Sequence, residues 1–198
     1  MNQRKTKKHM GYSGLLVILL VAIDQFTKWL AYCNLRQKPD FVVINGVFQL
    51  KYLENDSAAF SLDPVSLLQR IFHFSYFESH PEAFLMAKMI FFAVLTIVVL
   101  VLLAILYQRI PLTHRFLPLN IIAVGIFAGA AGNLIDRILH HYVIDFFYFS
   151  LINFPIFNVA DIYVTLSAIA LIIVVLFYYK EEDFSLIFTK NSSKPKES

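Results

Sequence analysis

Four apolar stretches, residues 12–31, 84–107, 117–135 and 159–179, constrain this chain more than anything else in it. Each is close to the roughly 20 residues an α-helix needs to cross the hydrocarbon of a bilayer. The chain is 58% hydrophobic and only 16% charged, whereas a soluble domain carries about a quarter charged residues. The long runs account for the difference. The expected fold is therefore a mainly α membrane protein of four transmembrane helices. Residues 1–180 form one integral membrane domain. The polar tail, residues 181–198, is rich in Lys, Ser and Glu and is expected to be disordered.

Orientation follows from the basic residues, which favour the cytoplasmic side in short segments. Arg4, Lys5, Lys7 and Lys8 precede the first run, and Arg109 and Arg115 lie between the second and third. Lys180, Lys190, Lys194 and Lys196 follow the fourth. Ten of the seventeen Lys and Arg residues thus fall on one side, which places both termini in the cytoplasm. The net charge of +3 follows from this topology and implies no nucleic-acid partner. The first run is read as a retained span rather than a cleaved leader, because Asp24, Gln25 and Lys28 follow its apolar core directly. Cys33 is the single cysteine, so no internal disulfide forms.

Two segments fall on the opposite side. In the first, residues 34–82, Asn45-Gly46 separates the β-prone runs Phe41-Val42-Val43-Ile44 and Val47-Phe48-Gln49-Leu50-Lys51-Tyr52-Leu53. That pattern predicts a hairpin, and with it a small sheet at the membrane surface. Asp63 and Pro64 then mark a helix start, and residues 66–76 carry Leu67, Leu68, Ile71 and Phe72 on one face. This predicts an amphipathic helix lying in the interface. The second segment, residues 137–158, is dense in Phe and Tyr, which favour headgroup depth.

Carboxylates inside or against apolar spans are expensive, by at least about 2.5 kcal/mol at a helix centre, and mark functional positions. Asp24, Asp56, Asp136, Asp145 and Asp161 all qualify. Asp24 and Lys28 stand one turn apart on the same face; they either pair with each other or brace a site. Asn133 and Asp136 also share a face, with Arg137 adjacent, which suggests a structural clamp between Asp136 and Arg137 rather than catalysis. Asp145 has no cationic neighbour in sequence, and Asp161 follows sixteen residues later, with Asn158 three positions before it. Two buried carboxylates sharing a proton can activate water and protonate a leaving amine. Spacing alone leaves open that the two are unrelated interface residues.

Five elements in order resemble lipoprotein signal peptidases (signal peptidase II), the intramembrane aspartyl peptidases of bacteria. They are Asp24-Gln25-Phe26-Thr27-Lys28, the run from Asn55 to Phe60, Gly132-Asn133-Leu134-Ile135-Asp136-Arg137, Val143-Ile144-Asp145-Phe146 and Phe157-Asn158-Val159-Ala160-Asp161. The resemblance implies that Asp145 and Asp161 are catalytic. It gives supporting roles to Asp24, Lys28, Asn55, Asn133, Asp136, Arg137 and Asn158. It also implies four spans with a small extracytoplasmic sheet and an interfacial helix. The implied activity is that of an aspartic endopeptidase of the bacterial inner membrane, with its active site on the extracytoplasmic side. The substrate would be a diacylglyceryl-modified prolipoprotein cut just before its lipidated cysteine, with no metal or cofactor. Membrane lipid is an expected partner, and the protein is expected to be a monomer. Ser57 stands where the family has glycine, and the stretch after Phe60 is longer than usual. Two alternatives remain, a proton-coupled transporter and an inactive relative that only binds lipoprotein signals.

Overall fold

The computed structural model describes residues 2–56 and 64–188. Four of its helices are long and apolar enough to cross a membrane, over Gly11–Leu35, Pro81–Tyr107, His114–His140 and Val159–Phe177. They belong to α1 (Asn2–Leu35), α4 (Pro81–Tyr107), α5 (Leu117–His140) and α6 (Val159–Phe177). Most of their large apolar side chains point outward: Ile18, Val94, Ile121 and Leu166 are all more than half exposed. The largest fully buried side chains are polar, namely Lys28, Asn158, Asp24, Asp136 and Asp145. That inversion suits hydrocarbon outside and a polar network within.

Small residues let the helices close around that network. A Cβ on Gly129 would collide with the Ala160 carbonyl and with Val164 on α6. α5 therefore lies centrally, against α1, α4 and α6. It ends at His141, whose left-handed backbone (φ 65°) caps the helix by donating to the Arg137 carbonyl at 3.2 Å.

The predicted hairpin forms between β1 (Phe41–Ile44) and β2 (Phe48–Asn55). Val47 N donates to the Ile44 carbonyl at 3.0 Å, and Gly46 takes the positive φ of 70° that glycine tolerates without strain. A third strand, β3 (Val143–Tyr148), pairs antiparallel with β2, giving the order β1-β2-β3. Leu53 lies opposite Asp145, and Asn55 opposite Val143. β3 arises from the segment whose aromatic residues suggested only headgroup depth.

The predicted interfacial helix is divided. α2 (Pro64–Phe72) begins at the proline, as its start signal implied, and leaves Leu67, Leu68, Ile71 and Phe72 exposed. A positive φ of 46° at His73 ends it, and α3 (Ser75–Ser79) follows. Ser57, the departure from the family pattern, lies outside the described residues.

The tail requires a correction. Glu181–Phe188, expected to be disordered, form α7. Phe184 and Ile187, three apart on one face, pack against Phe116 and Tyr179. Asp183 receives Arg115 Nη2 at 2.7 Å and Lys180 N at 2.9 Å. The Arg115 hydrogen bonds hold its carboxyl below the usual carboxylate range. An apolar face and an acidic first turn were enough to fold this segment against the end of the bundle.

Candidate active site

β3 and the start of α6 bring Asp145 and Asp161 together. Phe147 N donates to the Phe157 carbonyl at 2.8 Å, and Phe157 N returns a bond to the Phe147 carbonyl at 3.1 Å. This exchange holds the end of the 149–157 loop beside β3, so the next residue, Asn158, meets Asp145. The Asn158 side-chain amide donates to Asp145 Oδ1 at 2.6 Å.

Asn158 is also the N-cap of α6. Its backbone is extended, its side-chain oxygen accepts from Asp161 N at 3.0 Å, and its own N donates to Asp161 Oδ2 at 3.0 Å. This reciprocal capping box fixes Asp161 at the third helical position. A single asparagine thus orients both carboxylates.

The remaining oxygens are held as well. Asn55, at the end of β2, donates to Asp145 Oδ2 at 2.7 Å. Asn133 on α5 donates to Asp161 Oδ1 at 2.8 Å. The Asn133 amide oxygen in turn accepts from Lys28 Nζ at 2.8 Å, which fixes the asparagine's orientation.

Lys28 anchors the layer behind. Its Nζ lies 2.9 Å from Asp24 Oδ2 and 3.0 Å from Asp136 Oδ2, all three side chains being fully buried. Asp24 and Lys28 therefore pair with each other and also brace the site. Asp24 Oδ1 accepts from Ala160 N at 2.9 Å, and Asp136 Oδ2 from Ile144 N at 3.1 Å. The first grips the backbone next to Asp161, and the second the backbone next to Asp145.

The expected clamp is present with a different cation. Lys28, not Arg137, is at ion-pair distance from Asp136. Neighbouring residues of a helix point about 100° apart. The Arg137 guanidinium accordingly lies over the Phe92 ring, 5.7 Å from its centre, and lines the cavity below.

Gln25 was missed as a site residue. Its Nε2 bridges Asp136 Oδ1 at 2.9 Å, the Gly132 carbonyl at 3.1 Å and Asp24 Oδ2 at 3.2 Å. An uncharged amide within a span was the available signal.

Burial pushes the Asp145 carboxyl up to about 7, and the Asp161 charge adds to the effect against the Asn55 and Asn158 hydrogen bonds. Both carboxylates face a cavity of about 680 Å³ between α4, α5 and α6, walled by Phe92, Leu95, Val99, Ile162, Val164 and Leu166. Its lining is mostly apolar, with Thr96 and Thr165 on its walls and Asn55, Asn133 and Arg137 joining Asp145 and Asp161. Among the described residues, no three His, Cys, Asp or Glu side chains converge as a metal-ligand set.

A family model described as signal peptidase (SPase) II matches residues 16–177. The lipoprotein signal peptidase of Desulforapulum autotrophicum is 36% identical over 166 residues, covering 82% of this chain and 90% of its own. That of Clostridium tetani is 35% identical over 173 residues, covering 86% and 94%. A bacterial membrane enzyme solved by the in meso method at 1.9 Å superposes with a TM-score of 0.62 at 27% identity, covering 85% of this chain and 95% of that one. A second such structure, at 2.3 Å, gives a TM-score of 0.60 at 26% identity, covering 92% and 95%.

Proposed function

The chain belongs to the signal peptidase II family, and on that premise we propose that Asp145 and Asp161 are the catalytic dyad with which it removes signal peptides from prolipoproteins. The observation that carries the assignment is Asn158. It bonds Asp145 through its side chain (2.6 Å) and Asp161 through its backbone (3.0 Å), and both carboxylates line a mostly apolar cavity.

The chemistry follows from two linked carboxyls that share one proton. The ionised carboxylate takes a proton from water as the water oxygen attacks the scissile carbonyl. The protonated partner donates a hydrogen bond, then its proton, to the carbonyl oxygen. The tetrahedral intermediate collapses as the carboxyl that took the water's proton delivers it to the leaving amine, while its partner takes back the proton on the former carbonyl oxygen. Asn55, Asn133 and Asn158 hold the carboxyl oxygens in place throughout, so little reorganisation accompanies the step.

The substrate class has the chemistry of the cavity. An apolar signal helix and acyl chains suit its aliphatic and aromatic walls, while the peptide bond meets the polar end. Acyl chains gain almost nothing by leaving lipid for protein, so a diacylglyceryl group on the substrate cysteine acts mainly by positioning the bond. Cleavage falls just before that cysteine, on the extracytoplasmic side of the inner membrane, with both termini in the cytoplasm.

A proton-coupled transporter fits less well. A relay strings carboxylates across the bilayer, whereas Asp24, Asp136, Asp145 and Asp161 share one hydrogen-bonded cluster through Lys28, Asn133 and Asn158. The test is to incubate the purified protein in detergent with diacylglyceryl-modified prolipoprotein and follow its size shift, with unmodified precursor alongside. Cleavage of the modified form is expected to be much faster. Equal rates would remove the lipid from the assignment, and no cleavage at all would remove the activity.

A further inference from the structure

Lys88 is a buried cation that the dyad's hydrogen-bond network does not use. It lies in the second turn of α4, is 4% exposed, and places Nζ 3.0 Å from Asp56 Oδ2. A lysine near the end of a span commonly extends toward the aqueous interface, where no fixed partner is needed. This one instead meets a carboxylate at a particular place. Asp56 directly follows Asn55, whose amide donates to Asp145 Oδ2 at 2.7 Å.

The other end of the connection lies in the cavity. Phe92 stands four residues after Lys88, on the same face of α4. It lines the cavity and carries the Arg137 guanidinium over its ring. Leu95 and Val99 continue that wall. The buried residues of α4 are Lys88, Met89 and Phe92, all within its first half. Thus the buried residues of little more than one turn, with the Asp56–Lys88 ion pair, register this wall against the end of the strand whose Asn55 holds Asp145.

We infer that the Asp56–Lys88 ion pair is a latch between α4 and the end of β2, and that Lys88 is a positioning residue which sets the width of the substrate cavity beside the dyad. The inference rests on the functional reading above. An apolar substrate entering between α4 and the other spans meets a wall whose distance from Asp145 is fixed by this pair. Loosening it weakens substrate binding while leaving the carboxylates and their asparagines in place.

The experiment has one arm that needs cleavage and one that does not. Asp56→Asn and Lys88→Gln are each expected to raise KM for lipid-modified precursor about fivefold or more, with kcat within about twofold of the parent. The charge exchange D56K/K88E should restore KM to within about twofold, which a loss of packing alone would not do. In the second arm, spin labels replace the exposed residues Leu53 on β2 and Met86 on α4 in protein held in lipid nanodiscs. Their distance distribution should be narrow in the parent and broaden with Asp56→Asn. An unchanged distribution, or an unchanged KM in both single variants, overturns the latch. Failure of the parent to cleave any precursor would instead overturn the functional reading, and the label distances would still test the latch.

Discussion

The carboxylate of Asp24 occupies the space that a side chain on Gly132 would need. A Cβ at that position would lie 2.5 Å from Asp24 Oδ2. Asp24 cannot give way, because it is fully buried and bonded to Lys28, Gln25 and the Ala160 amide. Gly132→Ala should therefore push α1 from α5 and shift Ala160, the residue before Asp161. Overpacking of this kind typically costs about 1–3 kcal/mol. The expected outcome is a lower thermal midpoint in detergent together with a marked loss of cleavage. A variant with parental stability and rate would show that the contact is soft.

Asp145→Asn and Asp161→Asn should each abolish cleavage, because activating water and protonating the carbonyl oxygen need an ionised and a protonated carboxyl at the same time. A fall of at least about 10²-fold is expected for each. Both proteins should remain folded in the membrane, as judged by size-exclusion profile. Near-parental activity in either would remove that residue from the dyad.

The pH profile follows from the raised Asp145 carboxyl. Its affinity for a proton is higher in the folded protein than the ordinary carboxylate value of 3.8, reaching about 7. The singly protonated dyad is therefore populated below about 7 and lost as the pH rises through it. Cleavage should fall on that alkaline limb, whereas the contribution of this group to stability declines between the ordinary value of 3.8 and about 7 and is gone above it. Asn55 favours the ionised form by its hydrogen bond. Asn55→Ala should thus move the alkaline limb to higher pH, whatever its effect on the maximal rate. A limb displaced to lower pH would contradict the arrangement.

Asp136→Asn should harm assembly more than chemistry. It leaves Lys28 with one carboxylate fewer in a buried site, and such losses cost about 3–5 kcal/mol in soluble interiors. Thermal stability and yield should drop along with activity. A stable yet wholly inactive protein would place Asp136 among the reacting groups.

Much of this arrangement could be read from local pattern. The four spans follow from run length, the hairpin from Asn45-Gly46 and the α2 start from Pro64. What escaped was long-range. β3 reads as Val-Ile-Asp-Phe-Phe-Tyr without alternation, because its first four residues are all buried. Its partner β2 lies some 90 positions earlier, as the Asn55–Asp145 contact shows. The cation for Asp136 likewise comes from Lys28 on another helix, while the adjacent Arg137 turns to the cavity. In the tail, three acidic residues hid the short apolar face of Phe184 and Ile187 that folds α7.

The capping box at Asn158 and Asp161 ties chemistry to the electric field of a helix. The first turn of α6 presents the equivalent of about half a positive charge, directed at whatever anion sits at its start. In the proposed mechanism that anion belongs to the reacting pair, so the charge which remains when the dyad holds a single proton is seated on a fixed dipole. Cap and catalyst then share one side chain. Asp161→Ala removes the acceptor that holds the Asn158 amide as well as an acid. Asp161→Asn keeps an acceptor oxygen at the same place and isolates the chemistry. A side chain at position 161 without that acceptor would leave the Asn158 amide without its half of the capping box.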